Sequence, residues 1–112
     1  MVRLRRRGYL LSDWYQLMID PPMIPLIRQL RNEGFNTVWC CAHGPHPFVA
    51  MDSYRSNEES LLETFLRDRG YKNWEVSIKH YGANDKDMLT ISFVTNKGER
   101  ELISQEELGG EQ

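Results

Sequence analysis

Cys40, Cys41, His43 and His46 fall within seven positions of the stretch Thr37-Val-Trp-Cys-Cys-Ala-His-Gly-Pro-His-Pro-Phe-Val-Ala-Met-Asp52. Thiolate and imidazole are the usual ligands of zinc, so metal binding is the first chemistry to weigh. The spacing counts against it. Neighbouring residues on a strand point to opposite faces, so Cys40 and Cys41 cannot readily share one ion. The set that remains is Cys41, His43 and His46, with Asp52 or His80 as a more distant ligand. A second chemistry is nucleophilic, with the Cys41 thiol activated by His43, His46 or His80. The sequence shows no acid beside them to orient the imidazole.

A third use of the same stretch is as a binding surface. Trp39 and Phe48 supply aromatic area, with Trp74 and Tyr81 in support. Cys41, His43, Gly44, His46, Asp52 and Arg55 complete the candidate set, a few fixed polar groups beside apolar surface. The plain alternative is structural. One cysteine is buried as a small hydrophobe, the other lies on the opposite face, and the histidines shape a loop.

These residues need a rigid support. Thr37–Ala42 and Phe48–Asp52 read as the strands of a hairpin, and His43-Gly-Pro-His-Pro47 is its stiff connection. Before it, Asp20-Pro-Pro starts a helix in which Met23, Leu26, Ile27 and Leu30 share a face, and Gly34 ends it. Asp20 is placed to accept from the first helical amides. After the hairpin, Ser56-Asn-Glu-Glu59 reads as a capping box. Leu61, Leu62, Phe65 and Leu66 form the buried stripe of this second helix, and Gly70 stops it. Leu30-Arg-Asn-Glu-Gly-Phe35 and Leu66-Arg-Asp-Arg-Gly-Tyr71 match at a spacing of 36. They are either two ordinary helix-to-strand turns or the mark of a repeated α-β-β unit.

Trp74–Tyr81 and Met88–Val94 alternate as a second strand pair around a polar loop. Residues 9–19 fit a helix or a strand, and the break at Asp20-Pro-Pro favours a strand near 14–19. Glu99–Ile103 is either a short strand or the start of a tail. The expected order is β-α-β-β-α-β-β. That is an α+β two-layer sandwich, a mostly antiparallel sheet with two helices on one face, as a ferredoxin-like variant. The divisions are a basic flexible arm at 1–8, one α+β domain at 9–103 and an acidic flexible tail at 104–112.

Length and charge bound the rest. The chain has 112 residues and a net charge of −2. Residues 1–56 carry +3 and residues 57–112 carry −5. Such a balance does not favour a nucleic-acid binder, although Arg3, Arg5, Arg6 and Arg7 could meet a phosphate backbone. Two adjacent cysteines make no disulfide framework, which points to a reducing cytoplasm. No apolar run has the length of a membrane span. Phosphate-binding loops, dinucleotide fingerprints and serine elbows are missing from the sequence. An exposed sheet face or edge strand could pair two chains as a homodimer.

Residues 14–95 resemble a group of small proteins common in bacteriophages and prophages. In these a helix ends at glycine and a strand runs into Cys-Cys-x-His-Gly-x-x-Pro-Phe. Here Cys40-Cys41-Ala42-His43-Gly44 and Pro47-Phe48 stand in that order. The Gly-Tyr-Lys-Asn-Trp-Glu-Val turn is also in keeping, while Ala42 stands where glycine is common. The resemblance implies a phage accessory protein in the host cytoplasm, binding a host protein or a small ligand near the 39–48 hairpin. The alternative is a metal- or cysteine-dependent enzyme using Cys41, His43 and His46, with zinc as the metal.

Overall fold

A computed structural model describes residues 2–3, 19–52, 56–81 and 86–110 of the chain. Pro21–Met23 forms a single 3-10 turn that runs into helix α1, Ile24–Asn32. Pro25 sits in the first turn, where its missing donor costs nothing. Met23, Leu26, Ile27 and Leu30 are all buried, as their spacing predicts. The strands are β1 (Val2–Arg3), β2 (Asn36–Cys41), β3 (Phe48–Asp52), β4 (Trp74–Tyr81) and β5 (Lys86–Phe93). Helix α2, Glu58–Asp68, joins β3 to β4, and the short helix α3, Gln105–Leu108, follows β5.

The sheet order is β1-β2-β3-β5-β4, and every pairing is antiparallel. One face carries Cys40, Val49, Met51, Leu89, Ile91 and Phe93, which share a core with the buried residues of α1 and α2. The architecture is therefore the expected α+β sandwich, with both long helices on one face. Within the described part, two α-β-β units lie side by side through β3 and β5, an order compatible with a ferredoxin-like variant.

The repeated turn is a repeated geometry. Phe35 N donates to Leu30 O, and Gly34 N to Arg31 O. Tyr71 N and Gly70 N donate in the same way to Leu66 O and Arg67 O. Both helices thus end in the same paired bonds, with Gly34 and Gly70 at φ of 94° and 79°. The equivalent residues also meet. Glu33 pairs with Arg69 at 2.8 Å, and the Phe65 ring lies 5.8 Å from Phe35 and 6.3 Å from Tyr71. Tyr71 Oη donates to Gln29 Oε1, and burial pushes this phenol up to about 12.

Several expectations change. Leu61 is exposed rather than in the buried stripe. The N-cap of α2 is Asn57, with no side-chain cap bond, so the Ser56–Glu59 box does not form. Of the two readings left open for Glu99–Ile103, the strand does not form; the segment makes a turn and an isolated bridge from Leu102 to His43. Within the supposed arm, Val2–Arg3 pairs with Trp39 and Cys40, while residues 4–8, with Arg5, Arg6 and Arg7, lie outside the described residues. Residues 9–18, with the 14–18 part of the expected leading strand, lie outside them too; Ile19 is a buried bend.

Residues 104–110 are not a flexible tail. Ser104 and Glu107 form the capping box of α3, with Ser104 N donating to Glu107 Oε1 at 3.0 Å. Leu108 is buried in the main core, and Lys72 N donates to its carbonyl. Gly110 is required next to Tyr71, since a Cβ there would stand 2.5 Å from the ring. No helix among the described residues is long and apolar enough to cross a membrane. Leu108→Ala is expected to cost about 2–5 kcal/mol in urea denaturation, the loss typical of a buried leucine. A change within error would show that the segment is not part of the core.

Candidate functional site

The hairpin alternation divides the two cysteines. Cys40 faces Val49 across the ladder and is fully buried on the helix side. Cys41 faces Phe48 and is half-buried on the other side, which Trp39 also shares through its pairing with Ala50. The register shifts between Thr37 and Trp39, a bulge that keeps both Thr37 and Cys40 buried. Both thiols are free. Burial first, then the charges of Asp20 and Cys41, push the Cys40 thiol up to about 12, so it stays protonated and inert.

Beyond Cys41 the chain brings three polar groups together. Cys41 Sγ lies 3.8 Å from His43 Nδ1. The same nitrogen is 3.9 Å from Asp20 Oδ2, and His43 is 40% exposed. Asp20 does not cap a helix with its side chain. Its Oδ2 instead accepts from Ala42 N at 3.1 Å, tying the start of the first helix to the end of β2. This acid was missed in the sequence because it lies 22 residues from Ala42, in a segment that reads as a cap.

The loop itself is clamped by the chain that follows β5. Ala42 O accepts from Ile103 N, and Gly44 N donates to Glu101 O. Pro45 O accepts from both the amide and the hydroxyl of Thr95, and Pro47 O accepts from Phe93 N. Lys97 lies against Gly44, and its ammonium is 3.8 Å from Glu107. Gly44 and Pro47 are buried; Pro45 and His46 are exposed. Gly44 is therefore a packing residue rather than a contact surface. Nothing in the sequence tied Thr95–Ile103 to this loop.

The remaining candidates separate. His46 stands at the exposed tip, and among the described residues no three His, Cys, Asp or Glu side chains are disposed to hold a metal. The set Cys41, His43 and His46 is thus not assembled as a zinc site. Asp52 is buried at the far end of β3, where its Oδ2 accepts from Asn36 Nδ2 at 3.2 Å. His80 faces Asp87 at 3.2 Å near the far end of β4. Trp74 packs on the helix side, with its indole donating to Tyr71 O. Arg55 lies outside the described residues. Trp39, Cys41 and Phe48 share one sheet face, and His43 follows at its end. Ser92, opposite Phe48, has a buried hydroxyl with no hydrogen-bond partner among the described residues. Two cavities lined by described residues lie elsewhere, about 250 Å³ beside Phe35 and Phe65 and about 500 Å³ beside Gln105 and Gly110.

Two measurements check this geometry. Iodoacetamide on the native protein should label Cys41 and spare Cys40 until denaturant is added; equal labelling would contradict the burial of Cys40. Gly44→Ala should lower stability by about 1–3 kcal/mol in chemical denaturation. The added Cβ would stand 2.6 Å from Lys97 Cβ and from Lys97 O. An unchanged midpoint would mean that the clamp is not closed in solution. No family model, curated protein or solved structure matches this chain.

Proposed function

We propose that the chain is a small phage-type accessory binding module, acting in the host cytoplasm. It engages a host protein or a small ligand through the 39–48 hairpin. One observation carries the reading: the loop is fixed at Ala42, Gly44, Pro45 and Pro47 by backbone bonds, yet it projects Pro45 and His46 outward. A surface held in one conformation before contact loses little entropy when a partner arrives. Beside it, the half-buried Trp39, Cys41 and Phe48 add apolar area, and His43 adds a polar group.

The approach of Cys41 to His43 favours a second reading, a cysteine-dependent enzyme. In that reading His43 takes the thiol proton and Cys41 attacks an electrophilic substrate. Asp20 meets the same ring nitrogen as the thiol. A triad base instead uses one nitrogen for the nucleophile and the other for the acid. The arrangement therefore suits fixing the imidazole better than relaying a proton, and binding is the stronger reading.

The test compares the wild type with His43→Ala and His46→Ala, both on a loop whose clamp is made by other groups. Thermal shift against nucleotides and cyclic nucleotides covers the small-ligand arm. Quantitative capture from bacterial lysate covers the protein arm. The expected result is a ligand shift or a captured protein that falls at least about tenfold with one of the variants, or about 1.4 kcal/mol. Identical behaviour of all three proteins in both arms would reject the hairpin as the binding surface. If His43→Ala instead slows iodoacetamide labelling of Cys41 at neutral pH with no binding loss, the enzyme reading gains.

A further inference from the structure

An open edge strand is a template for another chain, and sheets usually blunt their edges. One edge here is blunted. β2 carries a bulge and is partly covered by β1. The other edge carries neither device among the described residues. β4 ends the sheet, pairs with β5 over all eight residues without a register shift, and contains no proline. No described strand lies on its outer side. At this edge Ile78 is 52% exposed on the helix side, and Glu75 and Lys79 are exposed on the other.

We propose that β4 is a homodimer interface, pairing antiparallel with β4 of a second copy about a two-fold axis at Ser77. The sequence of the strand is self-complementary in that register. Ser77 stands opposite itself, a small residue on the axis. Val76 stands opposite Ile78 twice, so the exposed Ile78 gains an apolar neighbour. Glu75 stands opposite Lys79 twice, so each carboxylate meets an ammonium on the same face. Trp74 stands opposite His80. Moving the axis to Val76 sets Glu75 against Ser77, and moving it to Ile78 sets Lys79 against Ser77. Both shifts remove the charge pairing.

This complementarity is what selects a second copy as the partner. A two-fold axis across an antiparallel pair also keeps both helix layers on the same side, so the core faces run on across the joint. The lysine that would guard the edge of a monomer is neutralised by the partner's Glu75. The edge lies across the sheet from β2, so this proposal and the hairpin reading stand or fall separately.

Sedimentation equilibrium of the full chain tests it, with circular dichroism to confirm that each variant is folded. The wild type should have twice the 13.2 kDa mass of the chain. Glu75→Lys and Lys79→Glu should each weaken dimerisation at least about tenfold. The double variant E75K/K79E should restore it. An equimolar mixture of the two single variants should form a heterodimer, because each then carries the charges the other lacks. A monomer at about 100 µM, weaker than any useful self-association, would overturn the proposal. So would a dimer indifferent to the single swaps, or a double variant as weak as the singles.

Discussion

Antiparallel pairing of β3 with β5 is the contact on which the rest of the structure depends. Val49 faces Ile91 and Met51 faces Leu89, and all four are buried. Those side chains make the floor onto which both helices fold. Neither unit could cover its own apolar face alone. A helix stripe such as Leu26, Ile27 and Leu30 needs a sheet beneath it, and a two-stranded hairpin is too narrow to be stable by itself. Joining two hairpins at their inner strands gives one floor, wide enough for two helices. The helix ends then meet, and Phe35, Phe65 and Tyr71 close the layer between them.

The same pairing fixes the candidate site. It sets the alternation of β3, and through β3 that of β2. Cys40 is thereby committed to the core and Cys41 to the opposite face. It also brings the end of β5 alongside Pro47, so that the following residues run past the loop and bond it from Phe93 to Ile103. The loop is stiffened partly by its own prolines, but its position is set by chain from more than forty residues away. Asp20 closes the other side from 22 residues earlier in the chain, its carboxylate oxygen accepting from Ala42 N.

Local signals in the sequence were legible where one element decides the outcome. The 3.6-residue stripe of α1, the two glycine stops and the period-2 alternation of β4 and β5 all appear where residue types place them. The split of the cysteine pair followed from alternation alone. What escaped was set by tertiary contact. Ser56 and Ser104 each begin a Ser-x-x-Glu pattern, yet only Ser104 completes its box. Leu108 looks like a tail residue beside Gly109 and Gly110, but the glycines permit the close approach to Tyr71 that lets Leu108 reach the core. The Asp20–Ala42 and Gly44–Glu101 bonds have no periodicity and no motif. Only the folded path makes them neighbours.

The repeat gives a way to separate scaffold from specialisation. Two units share the helix, the Schellman turn and the hairpin, so what they share needs only the fold to explain it. Glu33 and Arg69 are equivalent positions that differ in sign, which turns the meeting of two identical turns into an ion pair. Such an exposed pair adds little to stability. It does make the two halves complementary rather than merely alike. The larger departure is in the connections. The first hairpin is closed by Ala42-His-Gly-Pro-His-Pro47, the second by a plain polar run, Gly82-Ala-Asn-Asp85. The first is gripped by the chain after β5. A fold that needed this hairpin only to make a sheet would have no reason to bond its loop at Ala42, Gly44, Pro45 and Pro47. That support therefore falls on the same stretch, around Cys41, His43 and His46, whose chemistry first set it apart.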